Sequence, residues 1–228
     1  MIRIGSIAFL LCAAAVLQVS PAFAQPANRA PFRFEGGVGI VWDGAQSLGM
    51  RAATETTGSG GTSPLFNTSS ELGGAAGIDG RVGVRLSRSF MVEAEASYLK
   101  PQLRIAISAD AEGAAPVTAS ETIQQFTIGA NLLWMLPGRR WSPRFRPFAL
   151  AGGGYLRQLH EQATLLETGR FYQLGAGVEA LLSSARRFHT KGMGVRADLR
   201  ALIRAQGVAF DGGSNTSPAA GASAFVRF

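Results

Sequence analysis

The chain has 228 residues and a formal net charge of +7, with 46% hydrophobic and only 16% charged residues. That charged share is well below the roughly 25% of typical soluble domains, so the composition disfavours an ordinary soluble surface. A lone cysteine, Cys12, excludes an intrachain disulfide framework. The positive charge is not gathered into the basic, aromatic-bearing surface that nucleic-acid binding requires, so that class is excluded as well.

Residues 1–24 have the pattern of a secretory signal peptide. Arg3 precedes a short apolar run, and a small-x-small site with Ala22 and Ala24 follows, so we expect cleavage after Ala24. The run is shorter than the roughly 20 residues of a membrane-spanning helix, which disfavours an anchor. We therefore predict an exported domain over 25–228 that contains no cysteine.

Beyond this segment, period-2 alternation predicts β-strands. In "RVGVRLSRSFMVEAEASYL" the apolar residues Val82 and Val84, then Val92 and Ala94, alternate with polar or small ones on both sides of a short turn, which is typical of a β-hairpin. The fifth segment, "PFALAGGGYL", is less regular. Eight strands are predicted in this way, near 32–43, 75–86, 90–100, 122–136, 145–157, 170–182, 194–204 and 219–228.

Alternation alone fits two kinds of eight-stranded barrel. A membrane barrel turns apolar residues outward and polar residues inward, whereas a soluble lipocalin-like barrel does the reverse. The polar positions carry six acids and six arginines without a lysine, and arginine is the cation preferred for confined, multidentate ion pairs. The predicted lumen residues are Arg33, Glu35, Asp79, Arg81, Arg85, Glu93, Glu95, Glu179, Arg196, Asp198, Arg200 and Arg227.

Aromatic residues and loop lengths favour the membrane barrel. Membrane barrels place aromatics at both lipid–water interfaces, and they have long external loops and short periplasmic turns. Here the connection 44–74 is long, whereas the turn 87–89 has three residues. We therefore predict an all-β fold, an eight-stranded antiparallel up-and-down transmembrane β-barrel. The predicted belts are Trp42, Tyr98, Tyr155 and Tyr172 at one rim and Phe34, Phe90, Trp134 and Phe228 at the other.

The signal peptide, the alternating strands, glycine-rich stretches such as "GAGVEA" and the terminal "FVRF" together resemble the small outer-membrane β-barrel family, the OmpA/OmpX-like and opacity-protein group. The resemblance covers the whole domain after the signal segment and implies a cell outer-membrane location. It also implies that Val226 and Phe228 form the signal read by the barrel-assembly machinery. OmpA-type members carry a peptidoglycan-binding domain after the barrel, and we do not expect that role here.

An even number of strands places both chain ends on the same side of the membrane, the periplasmic one. The long loops then lie on the external side of the membrane and the short turns on the periplasmic side. The first loop is rich in hydroxyl and glycine residues, which favours disorder with a docking point at Pro64–Phe66. Turn arginines, among them Arg139, Arg140, Arg186 and Arg187, would either contact anionic lipid headgroups or keep the rim solvated. The predicted external loops are 44–74, 101–121, 158–169 and 205–218, and the periplasmic turns are 87–89, 137–144 and 183–193.

The interior of an eight-stranded barrel is just wide enough for its own side chains, so we expect a lumen plugged by ion pairs and a structural or surface-interaction role. Its partners would be outer-membrane lipids and the assembly machinery. No cofactor or metal is predicted. Glu93 and Glu95 are expected to pair with facing arginines rather than act as an acid–base pair. Two alternatives stay open, a narrow ion channel and a lipid A-modifying enzyme, for which His160 beside Glu161 is the outer-rim histidine.

Overall fold

The computed structural model describes residues 33–56, 58, 60–136, 144–160, 166–183, 192–205 and 214–228, and the statements below concern these residues. The predicted signal segment with Ala22 and Ala24, and most of the predicted turn arginines, lie outside them. The described chain forms eleven strands: β1 (Arg33–Asp43), β2 (Gln46–Thr56), β3 (Thr62–Leu72), β4 (Ala75–Arg85), β5 (Phe90–Leu99), β6 (Gln102–Ser108), β7 (Val117–Met135), β8 (Phe145–His160), β9 (Leu166–Ser183), β10 (Gly192–Ala205) and β11 (Ser214–Arg227).

Eight of these strands close into an antiparallel up-and-down barrel, which confirms the predicted fold. Their order around the wall is β1, β4, β5, β7, β8, β9, β10 and β11, with β11 pairing β1. Closure gives every wall strand a paired neighbour on both sides, as a barrel in lipid requires. At the end of the barrel where β1 begins and β11 ends, the N–H of Phe228 donates to the carbonyl of Phe34 over 2.9 Å. This end of the barrel is called the terminal end here, and the opposite one the extended end.

The barrel wall has an apolar outer face and a largely polar inner face. Along β10, Arg196 and Asp198 are buried toward the interior, whereas Leu199 is 70% exposed on the outside. Ile40 on β1 and Val82 on β4 are exposed in the same way. A continuous apolar face of this kind suits lipid rather than water. Among the described residues, no helix is long and apolar enough to cross a membrane.

Three strands outside the barrel extend one side of it. The strands β2 and β3 form a hairpin, β3 pairs β6, and β6 pairs the first residues of β7. These three strands and the first part of β7 are called the extension. The expected disorder of the first loop is therefore wrong for 46–56 and 62–72, and Pro64–Phe66 lies within β3 rather than in a free segment.

The extension is ordered by an apolar face. Leu72 pairs Leu103 across β3 and β6, and both belong to a cluster with Leu48 and Ile123 whose members are all 5% exposed or less. Nearer the tip the same face opens, and Ile107 is 40% exposed. Burial of apolar surface stabilises by about 25 cal/mol per Å². This stabilisation offsets the conformational-entropy cost of ordering a segment whose hydroxyl-rich composition by itself favours disorder.

The interior is not purely polar, contrary to the prediction. Phe148, Leu150 and Leu156 of β8 face inward and are 3% exposed or less. Glycines on the neighbouring strands make room for inward rings, since a Cβ at Gly177 would lie 2.6 Å from the ring of Phe148 and one at Gly194 would lie 2.6 Å from the ring of Phe225 on β11. Large apolar side chains therefore occupy space that the charge pattern alone would assign to ion pairs.

Candidate functional site

The barrel interior holds ion pairs at three levels, and the first lies at the terminal end. Arg227 donates from Nε to Glu35 and from Nη2 to Glu179, each over 2.6 Å. Arg85 lies 3.8 Å from Glu35 and 3.6 Å from Glu179. Arg33 pairs Arg85 through its backbone, and its side chain lies outside the described set. Arg146, the register partner of Glu179, lies on the same inward parity of β8, so at least three arginines face the two carboxylates at this level.

The central level is organised around Asp198, whose side chain is fully buried. All three arginines of the level approach it: Arg200 Nε at 2.6 Å, Arg81 Nη1 at 3.0 Å and Arg196 Nε at 3.3 Å. Each arginine also contacts one further carboxylate, so four acids face three arginines. These second partners are Asp79 for Arg81, Glu93 for Arg196 and Glu95 for Arg200.

Neutral amides complete the central level, and sequence reasoning missed them. Asn131 donates to Glu95 over 2.7 Å, and Gln173 donates to Asn131 over 2.6 Å. Arg200 donates to Gln173 over 3.1 Å. Both amides lie on the predicted polar faces of their strands, but the predicted lumen set contained only charged residues and therefore omitted them. Gln173 also donates to Glu95 over 3.3 Å, so an arginine and two amides hold this carboxylate in place.

The third level lies at the extended end and was absent from the predicted set. Arg204 donates to Asp43 and to Gln46, each over 2.6 Å. Gln125 donates to Asp43 over 3.2 Å and accepts from Gln158 over 3.1 Å. Because Gln46 opens β2, this level joins the barrel to the extension. The parity of β10, which places Arg200 inward, also places Arg204 inward and is the signal that could have found it.

Apolar clusters lie between these polar groups. Two arginines stack on inward rings: the Cζ of Arg196 lies 4.4 Å from the ring centre of Phe148, and that of Arg227 lies 4.7 Å from that of Phe225. Two small interior cavities measure about 20 Å³ and 10 Å³, enough for about one water each. The clusters are Met91, Leu133, Met135, Phe148 and Leu150, and separately Leu156, Phe171, Leu202 and Ala219.

The predicted aromatic belts face outward. Tyr98 is partly buried because its ring packs on Phe126, an additional outward aromatic, with centroids 4.7 Å apart. Phe90 pairs Trp134 in neighbouring strands of the terminal end. The other belt residues are between 43% and 65% exposed: Phe34, Trp42, Phe90, Trp134, Tyr155, Tyr172 and Phe228.

His160 is held at the extended end by a residue that the sequence did not indicate. Its Nδ1 lies 2.9 Å from the Oε2 of Glu121 on the neighbouring strand, whereas Glu161 lies outside the described residues. Its Nε2 is buried, and no described hydroxyl bonds to it. Within the described chain, no group of three or more His, Cys, Asp or Glu residues is arranged to hold a metal ion.

The geometry agrees with a family comparison. The model of the family "Outer membrane protein beta-barrel domain" matches residues 9–224. The chain belongs to this outer-membrane β-barrel family. An outer-membrane location follows, and it accounts for the exposed apolar outer face. No curated protein sequence matches the chain.

Solved structures with a similar fold include three outer-membrane proteins. Neisserial surface protein A is 14% identical, with 85% of this chain and 95% of that chain covered and a TM-score of 0.47. Ail of Yersinia pestis, in complex with the heparin analogue sucrose octasulfate, is 10% identical over 86% and 99%, with a TM-score of 0.42. The N-terminal β-barrel domain of Pseudomonas aeruginosa OprF is 13% identical over 84% and 97%, with a TM-score of 0.35.

Proposed function

We propose that this outer-membrane barrel has a closed interior and serves as a rigid base for the extension, in a structural or surface-interaction role. The observation that carries the proposal is the succession of paired charges and apolar clusters from Glu35 at the terminal end to Asp43 at the extended end. Unpaired charges in a low-dielectric interior cost several kcal/mol, so side chains paired in this way hold fixed positions rather than yield to passing ions.

Conductance across a planar lipid bilayer tests the closed interior. We expect the purified protein to give no large, steady openings. Vesicles from the same preparation are checked by gel mobility with and without heating, because a folded membrane barrel resists SDS until boiled. Steady openings from protein that passes this check would refute the closed interior and favour the narrow-channel alternative.

The extension faces the cell exterior in this proposal, and the terminal end faces the periplasm. The three-residue connection at Ser87–Ser89 is typical of periplasmic turns, and long hairpins are typical of the outer side. An epitope inserted between Gly60 and Gly61 should be labelled on intact cells, whereas one inserted at Arg88 should be labelled only after permeabilisation. The reverse labelling would contradict this orientation.

Two partners belong to the same proposal, outer-membrane lipids and the barrel-assembly machinery. Phe228 projects outward at the terminal end, and Val226 lies on the same face of β11. An apolar, aromatic end of the last strand is a surface that the assembly machinery could read before the barrel closes. Undiminished insertion in cells after Phe228→Ala would contradict this role.

We assign no catalytic role to the pair of His160 and Glu121. A histidine–carboxylate pair resembles part of a catalytic triad, but a nucleophile within hydrogen-bond reach of Nε2 is also needed. No described hydroxyl makes that contact. Mass spectrometry of lipid A from cells with and without the protein tests this assignment, and an added or lost acyl chain that depends on His160 would overturn it.

A further inference from the structure

The outward face of the barrel wall is almost free of charge. On the described residues of the eight barrel strands, the only charged side chains that face outward are Arg157 on β8 and Arg170 on β9. A third cation, Lys100, directly follows β5 and is exposed. All three lie at the extended end, on the side of the barrel formed by β5, β7, β8 and β9.

These cations lie among belt aromatics. Arg170 pairs Tyr155 across β8 and β9, and Arg157 pairs Phe126 across β7 and β8. The Nζ of Lys100 lies 5.9 Å from the ring centre of Tyr98, whose ring in turn packs on that of Phe126. The aromatics fix the depth of the cations, because such rings lie at the headgroup level of a bilayer.

The two arginines are close enough to share one ligand. Arg157 pairs Thr168, and Arg170 is two residues further along the same strand, so the pair is diagonal across β8 and β9. Diagonal neighbours of this kind are about 7–8 Å apart, which long guanidinium side chains span readily.

No described carboxylate faces this surface from the barrel wall. Among the described residues, the acids Glu121 and Glu167 at this end of β7 and β9 lie on the inward-facing parity, and Glu121 contacts His160. A different exposed cation, Arg104 on β6 of the extension, lies directly across from Glu71 in the strand register. The three barrel cations therefore differ from Arg104 in having no acid opposite them.

We propose that Arg157, Arg170 and Lys100 form a binding site for the phosphate groups of an outer-leaflet lipid headgroup. Two guanidinium forks matched to one phosphate give bidentate, charge-assisted hydrogen bonds, which explains the diagonal arginine pair. Lys100 supplies a point charge for a second anionic group of the same headgroup. The inference rests on the proposed orientation of the extension, whereas the binding test below is made in detergent and does not depend on it.

Native mass spectrometry of the detergent-solubilised protein tests the site with two probes, diphosphoryl lipid A and a neutral galactolipid. Each cation near an anionic lipid contributes about fivefold in affinity, so Arg157→Gln with Arg170→Gln should weaken lipid A binding about 25-fold. Arg157→Lys, which keeps the charge and loses the fork, should give an intermediate loss. Arg104→Gln is the matched control and should bind as the unaltered protein does.

Three results would overturn the proposal. They are equal binding of the galactolipid, an unchanged affinity in the double variant, or an equal loss with Arg104→Gln. Displacement of lipid A by an equal amount of inorganic phosphate would instead indicate a site for free phosphate and would also count against a lipid site. Each variant is first shown to be folded by its heat-modifiable gel mobility, so that unfolding cannot imitate loss of the site.

Discussion

Replacing Arg200 by Gln and Asp198 by Asn removes opposite members of one buried ion pair, and we expect unequal losses of stability. Asp198→Asn leaves each of the three central arginines with one carboxylate, because Arg81 and Arg196 also have their own second partners. The cost is then mainly that of weakened hydrogen bonds to charged groups, about 1.5–3 kcal/mol.

Arg200→Gln leaves four carboxylates facing two arginines at the central level. Glu95 then keeps as hydrogen-bond donors only the amides of Asn131 and Gln173, at 2.7 Å and 3.3 Å, while its register partner Arg81 is shared with Asp79 and Asp198. Removing one partner of a buried ion pair costs about 3–5 kcal/mol because the remaining charge is uncompensated. We therefore expect Arg200→Gln to be the more destabilising change, and Arg200→Lys, which keeps the charge, to lie between the two.

Equilibrium urea unfolding in lipid vesicles, followed by tryptophan fluorescence, measures these differences. Glu55→Gln, at an exposed position of the extension, is the control for loss of a charge and should change the free energy of unfolding by less than about 0.5 kcal/mol. If Asp198→Asn destabilised the barrel as much as Arg200→Gln, the balance of charges would not govern the central level. The reasoning would then be refuted.

Two further changes test packing and the junction with the extension. Gly177→Ala should lower the free energy of unfolding by about 1–3 kcal/mol, because a Cβ there would clash with the backbone oxygen of Ala197 and lie 2.6 Å from the ring of Phe148. A Cβ at Gly36 would meet nothing within 4 Å, so Gly36→Ala should leave the free energy of unfolding unchanged. An equal loss of stability in both variants would count against this account. Gln46→Ala removes the contact of Arg204 with β2 and should speed amide hydrogen exchange in β2 and β3 about tenfold. Ser47→Ala is the control, and a similar acceleration in it would show that the Arg204 contact does not hold the hairpin.

The barrel could be predicted because its strands repeat one simple rule. Val82 and Val84 on β4, or Val195 and Leu199 on β10, face lipid, and the residues between them face inward. Strand parity is a local property, so it can be read without knowing which strands are neighbours. Where glycine interrupts the alternation, as at Gly152–Gly154 of β8, the parity weakens, and the inward position of Phe148 could not be inferred.

The sequence does not predict which acid and which arginine form each ion pair. Glu35 and Arg227 are direct partners in neighbouring strands, but Arg196 reaches Glu93 across the interior from a strand that is not its neighbour. Such contacts depend on how far each strand is staggered around the barrel, which no short stretch of sequence encodes. The same limit explains why Asp43 was not assigned to an ion pair.

The extension was missed for a compositional reason. In β6, Leu103, Ile105 and Ile107 alternate in the same way as the barrel strands, so a signal was present. In β3 the corresponding face carries Thr68 and Ser70 next to Leu72, and its hydroxyl-rich sequence resembles a loop. Only the pairing of the two strands, which puts Leu72 against Leu103, reveals that this face is shared.

The strand β7 runs without interruption from Val117 in the extension to Met135 in the barrel wall, over 19 residues. A pull on the extension along this strand is therefore transmitted directly to the wall. In the wall, β7 is bonded on one side to β5 and on the other to β8, so the load falls on two ladders of hydrogen bonds at once. Bonds loaded in shear must break together rather than one after another. The geometry is that of a mechanical anchor, in which force applied to the extension is borne by the barrel rather than by a flexible linker.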